Sequence, residues 1–296
     1  MHLGNARTAL LAWLQCRSSG GAFLLRIEDL DAARCRPELA EELMRDLEYL
    51  GLFWDEAPVR QSKRAEAYRE ALDALDRKGL LYPCFCTRTE IARAASAPHG
   101  ATDDGPRYPG TCRSLSESER TAQGRPTALR FRARSGEVAF PDGVHRRYAQ
   151  DVQAQVGDFV VRRNDGVASY QLAVVVDDAD SAITDVLRAD DLLSSTPRQL
   201  LLYEALDRPA PRFAHVPLLM GEDGKRLAKR DGVFAIAELR RRGVPAERVM
   251  GLLAFWSGLS GGEPVAAREL VSRFDLARVS TAAVVGRQAD IEARLR

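Results

Sequence analysis

Apolar residues recur at helical spacing near the start of the chain, where Leu10, Leu11 and Leu14 lie within Arg7 to Arg17 and predict a helix ended by Gly20-Gly21. Ala22 to Ile27 is short, apolar and preceded by glycine, which predicts a strand running into the acidic run Glu28-Asp29-Leu30-Asp31. Pro37 opens a second helix with a stripe of Leu39, Leu43, Leu47 and Leu50, closed by Gly51. A third reads from Ser62, as its cap, to Lys78, with Ala65, Tyr68, Leu72 and Leu75 on one face and Gly79 as terminator. Strand and helix alternating in this way imply an α/β protein built on a parallel sheet with helices on its faces.

Regular stripes give way to Cys, Pro, Gly, Ser and Thr between about Pro83 and Arg125, which reads as an insertion. Strand patterns return at Ala128 to Arg134, Phe159 to Arg162 and Gln171 to Val176, the last two separated by the turn Asn164-Asp165-Gly166. Beyond Gly232 the pattern is helical, with a Phe255-Trp256 pair, and no internal repeat is found. The expected divisions are 1–82 and 128–235 as two halves of an α/β core, 83–127 as the insertion and 236–296 as a helical C-terminal region.

Length and composition narrow the class. The chain has 296 residues, 45% hydrophobic and 29% charged, enough for two compact domains or one large α/β domain with an insertion, and unlike a disordered chain. A net charge of +1 excludes a globally cationic nucleic-acid binder, so contact with RNA has to come from a local patch such as 212–250, with nine basic residues against five acidic. That patch reads equally as a solvated helix face around Arg240 to Arg242. Apolar runs such as Ala9 to Leu14 and Leu172 to Val176 fall short of the ~20 residues a membrane span needs. The start lacks a cationic region followed by an apolar one, so the expectation is a cytoplasmic protein with no membrane partner. Of five cysteines, Cys84, Cys86 and Cys112 cluster while Cys16 and Cys35 stand apart, a spacing suited to a metal rather than to disulfides.

Two constellations carry candidate chemistry. His2-Leu3-Gly4-Asn5 heads a helix, where free N–H groups and the helix dipole favour phosphate, glycine permits close approach and histidine adds a donor; the plain alternative is a flexible start. Gly224-Lys225-Arg226-Leu227-Ala228-Lys229-Arg230-Asp231-Gly232 is a glycine-flanked cationic loop able to clamp a triphosphate, or else a solvated charge run. The chain has four lysines against thirty-nine arginines, yet two of the four lie here, which favours a demand for an ammonium. Glu28, at the end of the predicted strand Ala22 to Ile27, is able to take a buried ammonium and Arg188 to clamp a carboxylate bidentately, with Tyr170 as a hydrogen-bonding wall; the plain alternative is that all three are surface or structural residues. Three thiolates from Cys84, Cys86 and Cys112 suit tetrahedral zinc, with the fourth ligand open and His99 the default by chemistry alone. Asp177-Asp178 is read as holding the turn that follows it, with no catalytic role.

Together the His-x-Gly-Asn helix start and the Lys-Arg-x-x-Lys-Arg loop resemble the two signature motifs of class I aminoacyl-tRNA synthetases. Leu25-Arg26-Ile27-Glu28-Asp29-Leu30-Asp31, Gln61-Ser62, Tyr170 to Asp178, Ser195-Thr196-Pro197-Arg198-Gln199 and Asp223-Gly224-Lys225 narrow the likeness to the glutamyl branch, from His2 to about Gly232. Only 66 residues follow Arg230, and Cys84-x-Cys86 is followed by Tyr108-x-x-x-Cys112, which is similar to the short glutamyl-Q members. The resemblance implies a Rossmann-like parallel sheet, one structural zinc on Cys84, Cys86, Tyr108 and Cys112, and Mg²⁺ with ATP. It also implies ATP contacts at His2, Gly4, Asn5, Arg226 and Lys229, catalytic roles for His2 and Lys229, and glutamate contacts at Glu28, Tyr170 and Arg188. The implied reaction is activation of L-glutamate to glutamyl-adenylate and transfer to the queuosine base in the anticodon of tRNA(Asp), by a monomer. The N-terminal catalytic part of a glutamyl-tRNA synthetase and a non-catalytic tRNA-binding paralogue are the alternatives.

The chain also departs from the family pattern. The family places an Arg-Phe-Ala-Pro-Ser-like strand before the histidine motif, whereas only Met1 precedes His2, so the natural start is expected upstream. Ala228 stands where serine is usual, and Ala189 where glycine usually follows the arginine at 188.

Overall fold

The structure is a computed structural model that describes residues 1–31, 35–94, 106–225, 227 and 235–295. Its first part contains α1 (Leu3–Ser18), β1 (Arg26–Ile27), α2 (Pro37–Tyr49), β2 (Val59–Arg60), α3 (Ala65–Arg77) and β3 (Leu81–Cys84). Next come α4 (Arg88–Ala94), α5 (Glu117–Thr121), β4 (Ala128–Phe131), β5 (Glu137–Asp142), β6 (Arg146–Asp151), α6 (Val152–Gln155) and β7 (Phe159–Arg162). Then follow α7 (Tyr170–Asp180), β8 (Asp185–Ala189), α8 (Thr196–Ala205), β9 (Arg212–Val216) and β10 (Leu219–Met220). The last part holds α9 (Ile236–Arg241), α10 (Ala246–Trp256), α11 (Ala267–Leu270), β11 (Val284–Val285) and α12 (Gln288–Leu295).

A four-stranded sheet in the order β6-β5-β9-β8 lies at the centre. Strand β9 runs parallel to both β8 and β5, while β6 returns antiparallel to β5, so the sheet is mixed rather than wholly parallel. Alternation along β9 splits its side chains between two cores: Phe213 packs with α3, α7 and α8, whereas Ala214 and Val216 pack against Leu11 of α1. Another face of α1 is buried too, since Leu3, Leu10 and Leu14 join Leu252 and Leu253 of α10. In a second, antiparallel sheet, β3-β4-β7, the paired strands β3 and β4 flank residues 85–127.

Several expectations change on folding. The apolar run Gln171 to Val176 is not a strand but part of helix α7, whose Leu172 to Val176 are all buried. A segment buried all round loses the period that separates strand from helix, and the Ser169 side chain, accepting from Leu172 N, supplies the N-cap. Ser62 does not cap α3; its N–H and hydroxyl both go to Asp29, at 2.8 and 2.7 Å. The stripe on α2 is only half used, for Leu47 and Leu50 are buried while Leu39 and Leu43 remain 42% exposed. Gly51 closes that helix at φ 72°, a conformation open to glycine. The predicted strand Ala22 to Ile27 enters a ladder only at Arg26–Ile27, paired in parallel with β2. Among the described residues this pair makes no ladder with β8, and a cleft of about 510 Å³ separates Leu24, Leu25 and Arg26 from Asp185, Val186 and Leu187. Among the described residues no helix is long and apolar enough to cross a membrane.

Candidate active site

Residue His2 is the N-cap of α1, and its Nδ1 accepts from Asn5 N at 3.2 Å. Burial lowers its pKa below the ordinary histidine value, which favours the neutral ring. With Nδ1 accepting, the proton resides on Nε2, so the imidazole presents one outward donor. Gly4 has a packing reason, because a Cβ there would lie 3.1 Å from His2 Nδ1. The N–H of Asn5 is spent on the cap, which leaves those of Leu3 and Gly4 as the helix-start donors without an intrahelical acceptor.

The basic loop leaves and rejoins the fold beside this helix start. On the incoming side, Leu219 lies against Gly4 and Gly221 N donates to Lys225 O at 2.7 Å. On the outgoing side, His2 forms an antiparallel bridge with Ala235, and Ile236 N donates to Met1 O at 2.8 Å. Arg226, Ala228, Lys229 and Arg230 lie outside the described residues. Elsewhere in 212–250 acids answer part of the excess charge: Arg212 pairs with Asp185, Arg240 with Asp46 and Arg241 with Glu238.

The candidate amino-acid contacts converge. Glu28 accepts from Arg26 at 3.1 Å and lines two cavities, the cleft above and one of about 530 Å³ that also contains Asn5. Tyr170 is raised by burial and lies within electrostatic reach of Arg188, Glu28, Arg26 and Asp178. Arg188 projects from β8 and donates from Nε to His215 Nε2 at 3.0 Å and from Nη2 to Thr196 Oγ1 at 2.8 Å and Gln199 Oε1 at 2.7 Å. Three of its five N–H groups are thus held by the chain, leaving the Nη1 pair for Tyr170 and a ligand. That arrangement is narrower than the bidentate fork expected from the residue type alone. Ala189 has φ −73° and ψ 151°, ordinary extended backbone that does not require glycine.

The acidic pair behaves differently from expectation. The turn after α7 is closed by main-chain carbonyls, Ser181 N to Asp177 O and Ile183 N to Asp178 O, both 2.9 Å. The side chains reach across to other elements: Asp177 accepts from Gln61 after β2 and from Arg64 and Tyr68 at the start of α3, and Asp178 accepts from Arg26 of β1. Burial opposes the charge on Arg26, but Asp178, Glu28 and Asp177 outweigh it and hold the guanidinium ionised. Sequence reasoning missed Arg26, His215 and Asp142 as parts of the site. Arg26 lies within the Leu25 to Asp31 segment that carries the family likeness, whereas His215 had no local signal.

Cys84, Cys86 and Cys112 bring their Sγ atoms within 4.8 Å of one another. Cys86 Sγ lies 3.6 Å from Cys112 Sγ, and Cys84 Sγ 3.5 Å from the Tyr108 hydroxyl, spacings that suit the edges of a tetrahedral zinc site. Burial and its neighbouring thiols push Cys86 up to about 12, a crowding of charge that a divalent cation relieves. Burial opposes ionisation of Cys84 as well, but contacts from Tyr108 and Arg130 bring its pKa below the ordinary value. The Arg130 guanidinium lies 3.7 Å over the Tyr108 ring and donates to Cys84 Sγ at 3.2 Å. His99 lies outside the described residues.

Comparison with known proteins places this geometry. The family description "tRNA synthetases class I (E and Q), catalytic domain" matches residues 1–292. A glutamyl-Q tRNA(Asp) synthetase of Symbiobacterium thermophilum is 54% identical over 94% of this chain and 90% of its own length. A glutamate–tRNA ligase of Geobacter sulfurreducens is 41% identical over 98% of this chain, which spans 60% of that protein. In three dimensions the chain is similar to the crystal structure of a glutamate tRNA ligase from Elizabethkingia meningosepticum in complex with its amino acid. The TM-score is 0.84 at 28% identity, over 99% of this chain and 66% of that one. The chain therefore belongs to the class I tRNA synthetases of the E and Q type, a family of aminoacyl-tRNA ligases, and groups with its glutamyl-Q tRNA(Asp) synthetase members.

Proposed function

We propose that this chain activates L-glutamate with ATP and Mg²⁺ to glutamyl-adenylate, then passes the glutamyl group to the queuosine base in the anticodon of tRNA(Asp). A substrate α-carboxylate oxygen attacks the α-phosphorus, the bond to the bridging oxygen breaks and pyrophosphate leaves; AMP leaves when the acyl group is transferred. No side chain of the protein enters a covalent step, so catalysis is positioning and charge stabilisation. The His2 Nε2–H and the N–H groups at the start of α1 would hold phosphate oxygens, with Asn5 beside them, while Arg226 and Lys229 would meet the charge on the departing pyrophosphate. Glu28 would take the substrate ammonium and Arg188 its side-chain carboxylate, with Tyr170 between them. Mg²⁺ accompanies the nucleotide and neutralises its phosphates.

Cys84, Cys86, Tyr108 and Cys112 would hold one zinc, which supplies a structural cross-link for residues 83–127, a segment with few apolar residues of its own. The protein acts in this reading as a cytoplasmic monomer. The single observation that carries the proposal is the His2–Ala235 bridge, which fixes one end of the basic loop against the phosphate-binding helix start. ATP/pyrophosphate exchange with glutamate and no tRNA is the test, followed by transfer of labelled glutamate to tRNA(Asp) with and without queuosine. Charging of tRNA(Glu) at its 3′ end would identify instead the catalytic part of a glutamyl-tRNA synthetase. Binding of tRNA without exchange would identify a non-catalytic paralogue.

A further inference from the structure

Residue His215 has no exposed surface, sits beside the amino-acid pocket and is not used by the chemistry above. Its Nδ1 lies 2.6 Å from Asp142 Oδ2, and Asp142 Oδ1 is occupied by the N–H groups of Val144 and His145 at 2.9 and 2.8 Å. An ionised carboxylate only accepts, so Nδ1 carries the proton and Nε2 is left with a lone pair. That lone pair faces Arg188 Nε at 3.0 Å and Thr196 Oγ1 at 3.1 Å. Phe213 stacks on the imidazole at 6.2 Å and Phe140 meets it edge-on, which fixes the ring plane.

We infer that His215, with its tautomer set by Asp142, is a positioning residue that fixes the rotation of Arg188 and so the aim of its Nη1 edge at the side-chain carboxylate of glutamate. The inference rests on the reading of Arg188 as the carboxylate contact. Tautomer and planarity are both required. An Nε2–H would set donor against donor, and Thr196 and Gln199 hold only Nη2, leaving the guanidinium free to tilt about that corner. Burial, Arg188 and His145 disfavour the imidazolium, against the pull of Asp142, and its pKa falls below the ordinary histidine value. The charged or titratable groups facing the ring are Asp142 at the end of β5, His145 in the turn after it and Arg188 on β8.

Asp142→Asn keeps an oxygen for the two N–H groups and places an amide donor where Oδ2 met Nδ1, which turns the imidazole to its other tautomer. The expected result is a glutamate KM raised about tenfold or more, with ATP KM and kcat within about twofold of the parent. His215→Gln, whose amide oxygen can still accept from Arg188, should recover most of that loss relative to His215→Leu. ¹⁵N NMR of histidine in the folded parent protein should show the Nδ1-protonated tautomer. An unchanged glutamate KM in Asp142→Asn, glutamate and ATP KM rising together, or an Nε2-protonated His215 would overturn the inference. Arg188→Lys separates the two claims: if it leaves glutamate KM unchanged, the reading of Arg188 itself is wrong. If only Arg188→Lys raises glutamate KM, the positioning role alone fails.

Discussion

The proposed amino-acid pocket and the helix start proposed to bind phosphate lie in the same catalytic domain but are built in opposite ways. Around Arg188 and Arg26 nearly every polar atom is already engaged, by His215, Thr196, Gln199, Asp178 and Glu28. At the start of α1 a single 3.2 Å bond orients His2, and the first-turn N–H groups of Leu3 and Gly4 have no acceptor within the helix. The contrast fits what each is proposed to recognise. A small amino acid differs from its competitors by one carboxylate, and rejecting the wrong one demands a site whose buried groups are fixed in advance. A triphosphate is large and highly charged, so a helix dipole, a cationic loop and loosely held donors suffice.

This contrast can be broken at either end. The largest effect is expected from Lys229→Ala, which should lower glutamate-dependent ATP/pyrophosphate exchange about 10²- to 10³-fold, the usual cost of one transition-state contact; near-normal exchange would remove the loop from catalysis. Glu28→Gln should raise glutamate KM about tenfold while ATP KM stays put, since a charge-assisted bond to the ammonium is lost. The pH dependence should sharpen the difference. His215 is held neutral, so glutamate KM should be flat above pH of about 6.5 and climb only below it, as a proton on Nε2 is driven against Arg188. A rise that began at higher pH would contradict that state. Chelation of metal, or Cys112→Ser, should speed proteolysis within 83–127 while slowing exchange by less than about threefold, because that segment is anchored outside both sites. Ala189→Gly should do least: it costs about 0.5–1 kcal/mol by chemical denaturation and leaves exchange unaltered, since position 189 is already in relaxed extended backbone.

How far the sequence could be read depended on whether a signal was local. The helices α1, α2 and α3 announce themselves through stripes and stop residues, and the thiols of Cys84, Cys86 and Cys112 through spacing. The hairpin β5–β6 was overlooked although Glu137 to Asp142 alternates exposed and buried at every residue. Helix α7 was mistaken for a strand because burial on all sides erases the period. Glu28 was legible as a candidate because an acid ends the predicted strand Ala22 to Ile27, while Tyr170 and Arg188 were named through residue type and family likeness. The number of N–H groups Arg188 has left was not, since it depends on Thr196, Gln199 and His215 arriving from other elements.

By itself, the order of residues determined the class of the fold, the family and the inventory of reactive groups, because helical stripes, helix starts and a cysteine cluster each act over a few neighbouring positions. Tertiary structure alone decided how those groups are aimed: which proton His215 carries, which edge of Arg188 stays open, and that Asp177 and Asp178 reach back to Gln61 and Arg26. Hydrogen bonds are short-ranged and directional, so their pattern exists only once segments more than a hundred residues apart have been packed together.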